Sequence, residues 1–294
     1  MNVFFFGMGF SSQAAARALH GLGEADMPIA GTVRTSEQAR LFAKTPFSMH
    51  VFDGHSLGAA LAEDLGKATH VVVSIPPGEG ADPVLGHYAD SLAAAPNLEW
   101  LCYFSTVGVY GDFAGMLIDE SAPTRPVNPR SQHRVVIEQQ WRDLAHRRGV
   151  PLLILRLAGI YGPGRSTFDK LRDGTARRIV KPGQVFNRIH VEDIGRITAL
   201  AALKGLGGTF NLADDEPAPP QDVVAHAAGL LGIEPPLEIP FELAEMTPMA
   251  RSFYADNKRV SNAAIKRALG IELLYPSYRE GLAAILAAET GAEL

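Results

Sequence analysis

The chain of 294 residues is poor in cysteine, in long apolar runs and in any excess of positive charge. Its single cysteine, Cys102, excludes a disulfide framework and a multi-cysteine zinc site, and it fits a reducing compartment. Lysine and arginine number 27 against 32 aspartates and glutamates, so the net charge is −5. A general nucleic-acid binder is usually basic, and that class is disfavoured. Apolar runs such as Val71-Val72-Val73 are strand-sized and fall far short of the ~18 residues a membrane helix needs. The histidines are scattered, with no His-x-x-x-His pair on a helix, so no metal site is expected. No basic segment precedes the apolar run Val3–Phe6, which reads as a first strand rather than a secretion signal. A soluble, cytoplasmic protein with neither membrane nor nucleic-acid partner is expected.

What is present is a regular alternation. Strand candidates are Val3–Phe6, Ile29–Val33, His50–Phe52, Thr69–Ile75, Leu98–Ser105 and Leu152–Leu157. Between them lie helical patterns at Ser11–Leu22, Ser36–Lys44, Ser56–Leu65, Pro83–Ala95 and Ser131–Arg148. Continuous apolar strands separated by helices predict an α/β fold, a doubly wound parallel sheet of the Rossmann kind. After residue 163 the rhythm changes. Short strands at Asn187–Val191 and Thr209–Leu212 flank a helix at Asp193–Leu203, a proline-rich stretch covers 217–240, and two more helices lie near Ser261–Leu269 and Tyr278–Glu289. The expected organisation is a dinucleotide-binding domain over 1–163, completed by parts of 187–215. A smaller substrate lobe over 164–294 is interleaved with it.

The chemistry begins at Gly7-Met8-Gly9-Phe10-Ser11-Ser12, between the first strand and the first helix. Gly7 permits the tight turn, and Gly9 lets the backbone approach a pyrophosphate. The helix start, from Phe10 and Ser11, supplies N–H groups and a positive dipole end. Ser12 stands where a third glycine is usual. At the end of the second strand Arg34 occupies the place where a carboxylate would bind the two ribose hydroxyls. Arg34, with Thr35 beside it, suits a 2′-phosphate, so NADP is the expected cofactor and NAD the second choice. Asp53, before Gly54, is a candidate adenine contact or simply a turn residue. Ser74-Ile75-Pro76, after the fourth strand, is placed against the cofactor as well.

These features, with several later segments, resemble the extended short-chain dehydrogenase/reductase superfamily, its epimerase and dehydratase members and an atypical YeeZ-type branch. Phe104-Ser105-Thr106-Val107-Gly108-Val109-Tyr110-Gly111 is similar to the family's S-[ST]-x-x-V-Y-G. Arg156–Gly164 is similar to R-x-x-x-x-Y-G-P-G, Ile189–Asp193 to I-H-V-x-D, and Asn211–Pro217 to a strand-and-turn motif near the substrate lobe. The resemblance covers nearly the whole chain and implies a nicotinamide cofactor and a small-molecule substrate. It also implies three catalytic groups: Ser or Thr after the fifth strand, and a Tyr-x-x-x-Lys pair on the next helix. Thr106 matches the first. With Glu138 as anchor, Arg134 falls at the lysine and Arg130 at the tyrosine. Arginine does not release its proton in a protein, so Arg130 cannot replace the general acid–base. Arg134 can still bind the ribose.

Substitute acids are Tyr110, Tyr161, His133 and His190, each with an ordinary packing role as its alternative. Cys102 reads as core and Ser105 as loop support. Arg165, Arg177 and Arg178 stand in a basic stretch that covers the substrate in the resembling family, which suggests an anionic substrate. A homodimer through the Ser131–Arg148 helix is expected from the spread of Val135, Val136 and Trp141 around it. Three functions stay open at this point: an atypical oxidoreductase, an epimerase or dehydratase that retains its cofactor, and an NADP-binding sensor without turnover.

Overall fold

A computed structural model describes residues 1–22, 27–55, 58–78 and 81–291. The elements run β1 (Val3–Phe6), α1 (Phe10–Leu22), β2 (Ile29–Val33), α2 (Ser36–Arg40), β3 (Ser48–Val51), α3 (Ala59–Lys67), β4 (His70–Val73), α4 (Pro83–Ala94) and β5 (Trp100–Thr106). They continue with β6 (Leu117–Ile118), α5 (Pro129–Arg148), β7 (Leu152–Leu157), β8 (Gly159–Tyr161), α6 (Thr167–Arg172), β9 (Arg178–Val180), β10 (Arg188–His190) and α7 (Val191–Leu203). The chain ends through β11 (Gly208–Leu212), α8 (Pro220–Leu230), β12 (Glu238–Pro240), α9 (Pro248–Ser252), β13 (Arg259–Val260), α10 (Ala263–Leu269) and α11 (Tyr278–Thr290). The expected start of the third helix at Ser56 lies outside the described residues.

The chain forms two compact units. The first comprises Met1–Thr106, Pro129–Arg156 and Ile194–Phe210; the second comprises Val107–Asn128, Leu157–Asp193 and Asn211–Leu294. The chain therefore passes from the first to the second after Arg156, a few residues before the expected division at 163, and crosses between the units at other points as well.

The first unit carries a seven-stranded sheet in the order β11-β7-β5-β4-β1-β2-β3. Strands β3, β2, β1, β4 and β5 pair in parallel. Successive connections reverse direction between β1 and β4, and a crevice for ligands opens at the carboxyl ends of strands at such a switch point. All four residues of β1 and of β4 are buried, as unalternating apolar strands require when helices cover both faces. On one face Phe4, Phe6, Val71, Val73 and Tyr103 pack with Tyr88 of α4 and Ile137, Trp141 and Leu144 of α5. On α1, Ala14 meets Gly195 of α7 so closely that a Cβ at Gly195 would lie 2.7 Å from the Ala14 backbone.

The second unit is built on three small parallel pairs, β8–β10, β9–β12 and β6–β13. Its larger core gathers Tyr161, Phe168, Val223, Ala227, Tyr278, Leu282 and Ile285. The proline-rich stretch contains α8. Proline is suited to the first helical position, because its missing N–H would have no intrahelical partner there.

Trp141 corrects the reading of α5. The helix buries Ser131, Arg134, Ile137, Glu138, Trp141, Leu144 and Ala145, and the indole is fully covered with its Nε1 donating to Asp82 Oδ2 at 3.0 Å. Of the apolar residues taken as a dimer face, Val136 is the one exposed.

Candidate functional site

The expected dinucleotide turn lies in the first unit, after β1. Gly7 has φ +92°, in the left-handed region, and a Cβ there would lie 2.8 Å from Ile75 Cγ1 and 3.0 Å from Ser74 Oγ. Its peptide is held from two sides. Gly7 N donates to Thr32 Oγ1 at 2.8 Å, and Gly7 O accepts from Ser74 Oγ at 2.7 Å. Ser12 Oγ donates to Ser74 Oγ at 2.8 Å, and Met8 N donates to Thr32 O at 2.7 Å. Ser12 is fully buried, so the residue that replaces the usual third glycine ties α1 to the end of β4 instead of merely making room.

The turn fits a pyrophosphate. Gly9 is exposed, and a Cβ built there meets nothing within 4 Å, so the backbone borders open space where a ligand can come close. Helix α1 starts at Phe10, and its first turn holds no acidic residue. Backbone N–H groups at a helix start lack intrahelical partners and face the positive end of the helix dipole. Ile75 and Pro76 follow β4 beside this turn, Ile75 half-buried and Pro76 exposed.

At the end of β2, Arg34 is exposed, and its guanidinium makes no hydrogen bond or ion pair among the described residues. Its backbone N donates to Gln38 Oε1. Thr35 is the N-cap of α2, its hydroxyl accepting from Gln38 N at 3.2 Å. Asp53 accepts from His55 N at 2.9 Å beside Gly54 at φ +97°, as a turn residue does.

Strand β5 ends at Thr106, half-buried at the carboxyl edge of the sheet. Arg134 stands over that strand. Its Nη1 donates to Phe104 O at 2.6 Å, and its guanidinium lies 5.6 Å from the Tyr103 ring centroid. Its Nε is buried and unpartnered among the described residues. One turn earlier Arg130 is exposed. One turn later Glu138 is 1% exposed and accepts from Arg156 Nε at 3.1 Å, Arg156 Nη2 at 2.7 Å and Ser105 Oγ at 2.7 Å. Burial alone would raise the pKa of Glu138. Arg156, with Ser105 and Arg142, outweighs it and holds the carboxyl below its ordinary range. Ser105 is thus a support, as expected.

Three of the four substitute acids are built into packing. Tyr110 is fully buried, and its OH donates to Asn211 Oδ1 at 2.8 Å, which corrects its placement as a catalytic group. The Tyr161 OH donates to Ser277 O, and burial pushes its pKa up. Burial lowers His190 to about 4, so the imidazole is neutral at physiological pH. His133 is half-buried in the first turns of α5. Cys102 is core, and burial raises its thiol well above the ordinary value.

The basic stretch of the second unit also reads differently once folded. Arg177 Nη1 donates to Glu245 O at 2.7 Å, and Arg178 pairs with Glu238 at 2.8 Å while donating to Pro236 O. These two arginines fasten residues 236–245 to β9. Arg165 is exposed, and its backbone closes a tight turn on Gly162. Residues missed at first are Thr32, which receives the Gly7 amide, and Asp82, which caps α4 and accepts from Trp141. A polar residue inside the otherwise apolar run Ile29–Val33 was the available signal for Thr32.

A glycine turn at the switch point of a doubly wound sheet, open beside a helix start, is the arrangement that dinucleotide-binding α/β proteins use. Residues 88–213 match the model of the NAD dependent epimerase/dehydratase family. The chain is 31% identical over 188 residues to Protein YeeZ of Escherichia coli strain K12, a match covering 63% of this chain and 61% of that protein. It is 30% identical over 144 residues to the 3-diazoavenalumate denitrifying reductase of a Streptomyces species, covering 44% of this chain and 45% of that one. The chain thus spans less than two thirds of the length of these relatives. A functionally unknown conserved protein from Silicibacter pomeroyi is 42% identical with a TM-score of 0.87, over 98% of this chain and 99% of that one. UDP-glucuronic acid 4-epimerase from Bacillus cereus, in complex with NAD, shares the fold at 17% identity and a TM-score of 0.76, over 100% of both chains. Residues 88–213 thus carry a region of the NAD dependent epimerase/dehydratase family, and the chain shares the fold of its solved epimerase structures.

Proposed function

We propose that the chain is an NADP(H)-binding oxidoreductase of the cytoplasm, acting on a small-molecule substrate. The observation that carries this reading is the Gly7–Ser12 turn, fixed by Thr32 and Ser74 and open at Gly9. The Phe10–Ser12 helix start would take the pyrophosphate, and Ser74–Pro76 would line the cofactor from β4. Arg34 would meet the 2′-phosphate; it is exposed, and no carboxylate takes its place at the end of β2. Arg134 would hold the nicotinamide ribose. When bound, the reduced nicotinamide supplies a hydride. The protein's part is to orient the acceptor and to donate a hydrogen bond from Thr106 to its oxygen.

Fluorescence titration tests the cofactor preference. NADPH is expected to bind more tightly than NADH, and Arg34→Ala to lose about 1.5–3 kcal/mol of NADPH affinity, roughly 10- to 150-fold. Equal affinity of the native protein for both cofactors contradicts this assignment.

The exposed Arg130 keeps a second reading in view, a dinucleotide-binding sensor that turns nothing over. Loss of a general acid typically forfeits about 10²–10⁴ in rate. NADPH oxidation against aldehydes, ketones and sugar phosphates separates the two readings. Thr106→Val is expected to lower any turnover about 10²–10³-fold, as loss of an oxyanion donor does. Arg130→Tyr is expected to raise it. Tight NADPH binding with no turnover of any acceptor favours the sensor. The epimerase and dehydratase reading requires tightly retained NAD, which mass spectrometry of the purified protein detects.

A further inference from the structure

We propose that Asp214, in the second unit, is a proton-binding site that keeps the turn over residues 213–218 closed while its carboxyl is neutral. Asp214 is 2% exposed, no side chain donates to its carboxylate, and neither oxygen has a hydrogen bond of ordinary geometry among the described residues; the backbone N–H of Glu216 is the one donor that acts on it, and weakly. A buried carboxylate left in that condition is costly, whereas the neutral acid is tolerated.

The groups around it explain why no cation neutralises it by contact. Arg188 of β10 is a positive charge acting on it, yet Arg188 Nη1 donates to Phe186 O at 2.9 Å and Ala218 O at 3.1 Å. Phe186 and Ala218 are themselves bridged through their backbones, so the guanidinium is built into the closure of the turn. Tyr161 of β8 lies within the field of Asp214, and Asp193 and Glu280 act on Tyr161 in turn. His190 packs edge-on to Tyr161 and is neutral. Tyr254 and Tyr278 share the charge of Arg188. Within the turn, Asp215 and Glu216 add like charge. The cations near those two are engaged, Lys266 with Asp215 and Glu272, and Arg279 with Glu216.

The turn is a hub. Asp214 N donates to Arg188 O at 2.6 Å and Asp215 N to Pro276 O at 2.7 Å, while Asn262 Nδ2 donates to Ala213 O and Asp215 Oδ1. If the proton leaves Asp214, the available compensation is Arg188 turning toward it, away from Phe186 O and Ala218 O, or water entering. Either change opens the closure. Burial, opposed by Arg188, raises the carboxyl from its ordinary 3.8 to about 8, which sets the range. An unfolded chain ionises this group above about pH 4, while the folded chain holds the proton to about pH 8. The folded state therefore binds one more proton across that range, and its stability falls as pH rises through it.

Two measurements on the full chain test the site. Proton release on unfolding at pH 7 is expected to be larger for the native protein than for Asp214→Asn by about one proton, because the amide imitates the neutral acid. Asp214→Asn is also expected to flatten the fall in melting temperature between pH 6 and 9. Equal proton release and parallel melting curves overturn the proposal. Hydrogen exchange of the native protein needs no variant. After correction for base catalysis, protection of the peptide carrying Asp214, Asp215 and Ala218 is expected to fall between pH 6 and 9. Constant protection of that peptide overturns the proposal as well.

Discussion

Glu138→Gln is expected to destabilise the first unit by about 3–5 kcal/mol, the cost of breaking a buried ion pair by removing one partner. Gln offers one acceptor oxygen where Glu138 has two. Arg156, 5% exposed, would keep its charge while losing the bidentate carboxylate. The loss reaches Ser105, which donates to the same carboxylate one residue before Thr106. A chain of two units need not unfold in one step. The readout is therefore the midpoint of denaturation followed by Trp100 and Trp141, both buried in the first unit. The same pair sets an acid limit. The Glu138 pKa is depressed on folding, so its contribution is present above the ordinary carboxylate range and is lost as pH falls through the folded value. A shift below about 1 kcal/mol would mean that the pair carries little of the unit's stability.

Gly9→Val is expected to reduce dinucleotide affinity by about 10²-fold or more while leaving the melting temperature within about a degree. No atom lies within 4 Å of a Cβ at Gly9, so the side chain enters free space and strains nothing in the folded chain. That space is where the pyrophosphate backbone contact would form, and a branched side chain displaces it. Gly7→Ala is a different lesion. It forces a side chain to φ +92° against Ile75 and Ser74, so it is expected to lose stability by about 1–3 kcal/mol along with binding. The contrast between the neighbouring glycines separates a binding surface from a folding requirement.

Much of the first unit was legible in the sequence, because its strands are unbroken apolar runs and its helices carry alanine and leucine at helical spacing. Boundaries moved by one to a few residues. The second unit was harder, since β6, β8, β9, β12 and β13 are two or three residues long and carry too few positions to show a period. Helix α5 misled for a different reason. Val135, Val136, Ile137 and Trp141 surround it with apolar positions, and only packing on β5 and Asp82 decides that Trp141 faces inward. The basic stretch suggested a substrate pocket, but Arg177 and Arg178 meet partners some 60 residues away, at positions 236–245. The glycine turn was plain, whereas its clamp by Thr32 and Ser74 was not, because hydroxyl direction depends on how strands neighbour one another. Asp214 stood out in the sequence only as the aspartate of the Asn211–Pro217 strand-and-turn motif, with no sign of its burial. Burial with so little to satisfy the carboxylate is a property of packing alone.

The Gly7–Ser12 turn of the first unit is proposed as the seat of a nicotinamide dinucleotide. Calorimetric titration with NADPH tests it most directly, run in parallel on the native chain and on Gly9→Val. Saturation at one NADPH per native chain is expected, with affinity for the equally folded variant lower by about 10²-fold or more. Native protein that fails to bind, or a variant that binds as the native chain does, would contradict it.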